Sequence, residues 1–153
     1  MLDVRLHQDA VTGMCLLEAM QAGEAEESHN DGGGILMTTS LDSTISAFDL
    51  KSQKQLCTLT MGTGGLHACI MAGQSLLVGC EDSYIYEIDT ATLKGASSRV
   101  RGHSGAVTGL CVGASHVASV STDGSLKLWD YGMGGISRTP VREYHDDEAG
   151  KKP

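Results

Sequence analysis

Large rings are scarce in this chain: one Trp, one Phe and four Tyr among 153 residues, against 20 glycines. That balance fits many short strands joined by tight turns. No run of about 20 apolar residues occurs, so no segment is suited to spanning a membrane. The opening, MLDVRLHQDAV, lacks the basic start and apolar core of a secretory signal. A cytoplasmic or nuclear location is therefore expected. No Cys-x-x-Cys spacing exists, and five cysteines are an odd number. Reduced thiols serving as small core residues are expected, in preference to zinc or redox chemistry. Residues 6–50 contain no Lys or Arg, yet carry Asp9, Glu18, Glu24, Glu26, Glu27, Asp31, Asp42 and Asp49. The rest of the chain balances 11 acids with 11 bases, so the net charge of −8 belongs to this stretch. Such a distribution argues against a general nucleic-acid binder, which needs a basic face.

What is present is best read from Gly102 to Asp130, GHSGAVTGLCVGASHVASVSTDGSLKLWD. Three runs have strand character: Ala106–Cys111, His116–Ser121 and Ser125–Asp130. They are separated by Val-Gly-Ala-Ser and Thr-Asp-Gly, both of turn composition. Leu126 and Leu128 alternate with Lys127, the period of a strand with one buried face.

The unit recurs. Phe48-Asp49, Ile88-Asp89 and Trp129-Asp130 close three segments 40 and 41 residues apart. Asp42, Asp82 and Asp123 each stand six residues before the Phe, Ile or Trp. A period of about 40 residues points to a repeat architecture, in which one unit cannot bury both of its faces alone.

These residues resemble the WD40 repeat, which starts on Gly-His and ends on Trp-Asp. Gly102 to Asp130 carries the full motif, and the similarity extends in weaker form over nearly the whole chain. The resemblance implies an all-β fold of about three four-stranded propeller blades, near residues 7–60, 62–101 and 103–144, forming an open, partial propeller. It implies a structural hydrogen-bonded tetrad of His103, Ser119, Asp123 and Trp129. A partial tetrad is implied at His7, Thr38, Asp42 and Phe48, where Phe donates nothing. The middle blade has Gly62, Val78, Asp82 and Ile88, a site expected to be packed by apolar contacts. Residues 2–6 are expected to form the outer strand of a preceding blade position. Tyr131–Ser137 is expected as a Gly-rich turn, and Arg138–Tyr144 as an outer strand with Pro140 at an edge. About 15 extra residues fall near Met20–Gly34, an acidic Ser/Gly-rich loop insertion, and 146–153 read as a solvated tail.

Three groups of residues invite a chemical reading. His103, Ser119 and Asp123 have the residue types of a hydrolase triad, but the Ser lies mid-strand with no sharp elbow to present it. His67 and Cys69 share one short strand, and two ligands do not make a metal site. Glycines 32–34 lack the Lys-Ser/Thr of a phosphate loop. No catalytic residue, metal or cofactor is expected. The chain is expected to be a protein–protein interaction module, a scaffold or adaptor. Its binding face would be Asp9, Ala10, Leu41, Gly64, Glu81, Gly105, Ala106 and Thr122, with a basic protein as partner. The alternative is a propeller segment completed by blades from another chain or copy. Three blades fall short of the four to eight that close a ring, so self-association or docking with further blades is expected.

Overall fold

A computed structural model describes residues 4–18 and 33–145. The described residues contain thirteen strands and no helix. Blade one is β1 (Val11–Glu18), β2 (Gly34–Ser40), β3 (Thr44–Asp49) and β4 (Lys54–Thr60), paired antiparallel in chain order. Blade two repeats the pattern with β5 (Leu66–Ala72), β6 (Ser75–Cys80), β7 (Tyr84–Asp89) and β8 (Ala96–Arg101). Blade three has β9 (Val107–Val112), β10 (His116–Ser121) and β11 (Ser125–Gly132), followed by β12 (Gly135–Ile136) and β13 (Arg142–His145), both paired with β11. The architecture is all-β: three propeller blades with their inner strands β1, β5 and β9 side by side.

Each blade alternates its side chains between two faces, and each joint buries one face from each neighbour. The first joint packs Met37, Ile45 and Ala47 of blade one against Leu76, Val78 and Ile88 of blade two. The second packs Leu77, Ile85 and Val100 of blade two against Val107, Val117, Trp129 and Ile136 of blade three. Leu76, Leu77, Val78, Ile85 and Ile88 are all 0% exposed. At roughly 1.5–3 kcal/mol per fully buried aliphatic side chain, these joints outweigh any one hydrogen bond, worth about 1 kcal/mol net.

One turn is copied three times. The residue after the loop Asp takes a positive φ in every blade: Ser43 at 68°, Ser83 at 73° and Gly124 at 79°. Glycine adopts that left-handed conformation freely, while Ser bears a steric cost.

The ends of the chain depart from the sequence expectation. Val4–Leu6, expected in a strand, carry no ladder; an outer strand needs the third strand of its own sheet, and the described residues hold none ahead of β1. Residues 2 and 3 lie outside the described residues, as do the tail at 146–153 and nearly all of the insertion near 20–34. Gly34 already belongs to β2. Tyr131–Ser137 is not a plain turn: β11 runs on through Gly132 and folds back as β12. Ile136 anchors that hairpin, being 6% exposed, and the Tyr131 hydroxyl donates to the Ala72 carbonyl at 2.7 Å. The outer strand starts at Arg142, later than expected, because Pro140 has no N–H for the ladder.

Candidate functional site

The repeated loop Asp organises one end of every blade. In blade three, the loop between β8 and β9 delivers His103 and β10 delivers Ser119. The Trp129 indole N–H donates to Ser119 Oγ at 2.9 Å, and Ser119 Oγ lies 2.7 Å from His103 Nε2. Asp123 can only accept, so the neutral His103 ring carries its proton on Nδ1, and Nε2 accepts the proton of Ser119, which itself accepts from the indole. His103 Nδ1–H donates to Asp123 at 3.1 Å. Asp123 also accepts from the Ser104 and Ser125 backbone N–H groups, at 2.8 and 2.9 Å, and from the Ser125 hydroxyl at 2.6 Å. Burial opposes charge on Asp123, but these donors overcome it and hold the carboxyl far below its ordinary range. Burial lowers His103, outweighing the attraction of Asp123, so the imidazole is neutral. Ser119 and His103 are 1% and 4% exposed.

A glycine underlies this packing. A Cβ at Gly102 would lie 1.8 Å from the Trp129 ring. The same position holds Leu6 before His7 in blade one, where Phe48 replaces the indole, and Met61 in blade two, where Ile88 does. The side chain at the indole position and the residue that precedes the His or Gly change together across the three blades. The signal was in the sequence, as Gly/Trp, Leu/Phe and Met/Ile pairs, but only the indole contact gives it meaning.

Blade one lacks the indole. His7 Nε2 meets Thr38 Oγ1 at 2.7 Å, and Nδ1 meets Thr44 Oγ1 at 2.8 Å. Asp42 stands 3.7 Å from Nδ1, and Thr44 donates to Asp42 between them. The Gln8 N–H donates to Asp42 at 2.7 Å. Burial raises the Asp42 carboxyl, but the Thr44 hydroxyl and the backbone donors bring it down to about 2. With Phe48 in place of Trp, Thr38 turns its hydroxyl toward the Ser46 carbonyl at 3.4 Å.

Blade two is partly apolar, since Val78 and Ile88 are fully buried, but its Asp is not left to apolar contacts. The Tyr86 hydroxyl donates to Asp82 at 2.7 Å. It reaches the space an imidazole fills elsewhere, because a Cβ on Gly62 would meet Cys80 Sγ, Asp82 Oδ2 and Tyr86 Oη within 3.3 Å. Burial, then Asp82, pushes the Tyr86 phenol up to about 12, so it stays a donor. Tyr86 was not anticipated, for it lies on β7, away from the position it replaces.

The loop face follows from the same clamps. Gln8, Thr63 and Ser104 donate backbone N–H groups to Asp42, Asp82 and Asp123. Leu41, Glu81 and Thr122 donate theirs to the carbonyls of Ala10, Gly65 and Ala106 at 2.9–3.0 Å. Asp9, Ala10, Leu41, Gly64, Glu81, Gly105, Ala106 and Thr122 therefore sit at one end of the three sheets. They are not equally available. Asp9, Ala10, Glu81 and Thr122 are exposed, while Gly64, Gly105 and Ala106 are half-buried. Leu41, 37% exposed, leans on blade two: a Cβ at Gly65 would come 2.9 Å from Leu41 Cδ2. Glu81 Oε2 accepts from the Gly65 N–H at 3.0 Å. At the opposite end, Leu17, Ile35, Leu56, Gly73 and Thr90 line a groove between blades one and two.

Comparison with solved structures places this geometry. The chain is similar to U3-55K with a TM-score of 0.71 at 17% identity, over 92% of this chain and 38% of that one. It is similar to the computationally designed Ika8 protein (TM-score 0.68, 21% identity, 90% and 37% of the two chains). The designed Ika4 protein matches with a TM-score of 0.66 at 21% identity, over 93% and 76%. These likenesses show the fold. No family model matches the chain. Among curated proteins it is similar to telomerase protein component 1 of Mus musculus, 28% identical over 108 residues. That match takes in 68% of this chain and 4% of the mouse protein, so the chain spans a small fraction of its relative.

Proposed function

We propose that the chain is a non-catalytic, WD40-type protein-interaction module, whose exposed loop end receives a partner protein. The observation that carries this reading is the threefold clamp of entry loop to loop Asp. It presents Asp9, Glu81 and Thr122 on a rigid platform at one end of three sheets. Rigid presentation lowers the ordering cost of binding. His103, Ser119 and Asp123 serve that platform as structure: the Ser119 proton is committed to a buried imidazole, with no exposed nucleophile. Acids predominate in residues 6–50, so a basic partner and salt-weakened binding fit the charge. The test is capture of partners on the immobilised chain at two salt concentrations. Glu81→Lys with Thr122→Arg should abolish capture, while Gln74→Arg at the opposite end should not. Equal capture by both variants would refute the loop end as the binding face.

A second reading, a segment completed by further blades, is favoured by the outer face of blade three. Four positions are buried at both internal joints: Met37, Thr39, Ile45 and Ala47 in blade one, and Leu77, Gly79, Ile85 and Glu87 in blade two. Their counterparts in blade three are Ala118, Val120, Leu126 and Leu128, all apolar. Val120 and Leu126 are 41% and 37% exposed. Such a face fits another blade, from a second copy or a further chain. Light scattering decides for a second copy: association lost on Val120→Lys with Leu126→Lys supports it, and a wild-type monomer at all concentrations removes it.

A further inference from the structure

The sequence assigns the cysteines to passive packing, yet the fold brings two of them together. Strands β1 and β5 run close at the first joint. Thr12 Oγ1 donates to the Leu66 carbonyl at 2.6 Å, and a Cβ at Gly13 would lie 3.0 Å from Cys69 Sγ. Cys15 pairs across its sheet with Met37, on the face of blade one toward blade two. Cys69 pairs with Val78, on the face of blade two toward blade one. In repeat position Cys69 comes one residue earlier than Cys15, and on a strand one residue exchanges faces. Equivalent positions would set the thiols on similar faces of successive blades; the offset turns them toward each other. Both are partly exposed and pack on the same cluster. Each thiol shifts the other's proton affinity, and Thr39 Oγ1 and Cys69 Sγ both lie within 3.0 Å of the place a Cβ on Gly13 would take.

We propose that Cys15 and Cys69 form a reversible disulfide that ties blade one to blade two when the chain meets a peroxide. The Cys69 thiolate attacks the peroxide O–O bond, giving a sulfenic acid and releasing hydroxide, which is protonated to water. The Cys15 sulfur then displaces the sulfenic hydroxyl, forming the S–S bond as its proton leaves with that hydroxyl in a second water. Two thiols are oxidised by two electrons and one peroxide is reduced. The acid–base order agrees. The Cys15 thiol, followed by Thr39, draws Cys69 below the usual thiol range against burial, while Cys69 and burial push Cys15 up. Cys80, raised by burial to about 11, and Cys57, also raised by burial, are poorer attackers. Cys111 occupies the Cys15 position of blade three, on the bare outer face, with no facing thiol.

The test treats the intact reduced chain with one equivalent of hydrogen peroxide, blocks remaining thiols with N-ethylmaleimide, and maps peptides without reductant. The expected result is a Cys15–Cys69 linked peptide, the loss of two free thiols, reversal by dithiothreitol, and a raised melting temperature. In Cys15→Ser, dimedone should label Cys69 severalfold more than Cys57. Absence of the linked peptide would overturn the proposal. So would equal yield from the chain in concentrated urea, which marks random pairing, or dimedone labelling of Cys69 no greater than that of Cys57. Mapping the wild type needs no variant to fold.

Discussion

Blades one and three carry the same His, hydroxyl and Asp at matching positions, but differ in what closes the network. Trp129 donates to Ser119, Ser119 to His103 Nε2, and His103 Nδ1–H to the acceptor-only Asp123. Phe48 donates nothing, so Thr38 bonds His7 and shares its hydroxyl with a strand carbonyl. The indole also sets its neighbour: Gly102 is required beneath it, whereas the same positions in blade one are Leu6 and Phe48. A polar network and a volume match are thus one choice, made differently in each blade. Blade two extends the lesson, since a Tyr from another strand serves an Asp whose His is absent.

The sharpest way to break the comparison is to put volume under the indole. Gly102→Val should destabilise blade three by ~3 kcal/mol or more, because the added carbons overlap a fully buried ring. Combining Gly102→Leu with Trp129→Phe, which rebuilds the blade-one pair, should recover part of that loss. Urea melts of the three proteins give the answer; an undamaged Gly102→Val would end the volume argument.

Removing polar members should cost less. Trp129→Phe and Asp123→Ala are expected to lose roughly 1–3 kcal/mol each, as buried partners go unpaired. His7→Ala should lose less, since its network already lacks one donor and meets Asp42 through Thr44. Equal costs in both blades would mean that the indole N–H adds nothing.

Acid should reveal the same difference in sequence. Buried, neutral His103 is depressed below its ordinary 6.5, so its contribution to stability is complete above that value and falls as pH drops. Asp42 and Asp123 are also depressed; their contributions are present above the ordinary carboxylate value and are lost on further acidification, for Asp42 as pH falls toward about 2. Stability is thus expected to decline first below about pH 6.5 and again below about pH 4. The earlier decline should vanish in His103→Gln, followed by chemical denaturation at stepped pH.

The smallest effect concerns the shared turn. Blade three has Gly124 at its positive φ, whereas blade two has Ser83 at 73°. Ser83→Gly should stabilise the protein by up to ~1 kcal/mol, by relieving left-handed strain. A shift of the denaturation midpoint in the opposite direction would show that the Ser83 side chain contributes more than its backbone costs.

Much of this was legible beforehand because strands leave a period of two and blades a period near 40. The ends of β9, β10 and β11 could be placed within two residues from turn composition and strand alternation, and the fixed Asp offset placed the other two blades. Tyr86 could not be found, because it substitutes for His from a different strand. Leu41 is expected on the binding face, yet the neighbouring blade approaches it at Gly65. The β12 hairpin hid among glycines, its one strong signal being Ile136.

The sequence by itself determined the all-β class, the number of blades and the identity of the organising Asp residues, since these follow from local patterning that each blade expresses alone. Only the tertiary structure decided which residues meet across a joint: Gly102 beneath an indole, Tyr86 in place of an imidazole, Cys15 facing Cys69. Those outcomes depend on the distance and facing of separate sheets. That distance is set by packing the joints without voids, a property of two blades together that neither strand pattern contains.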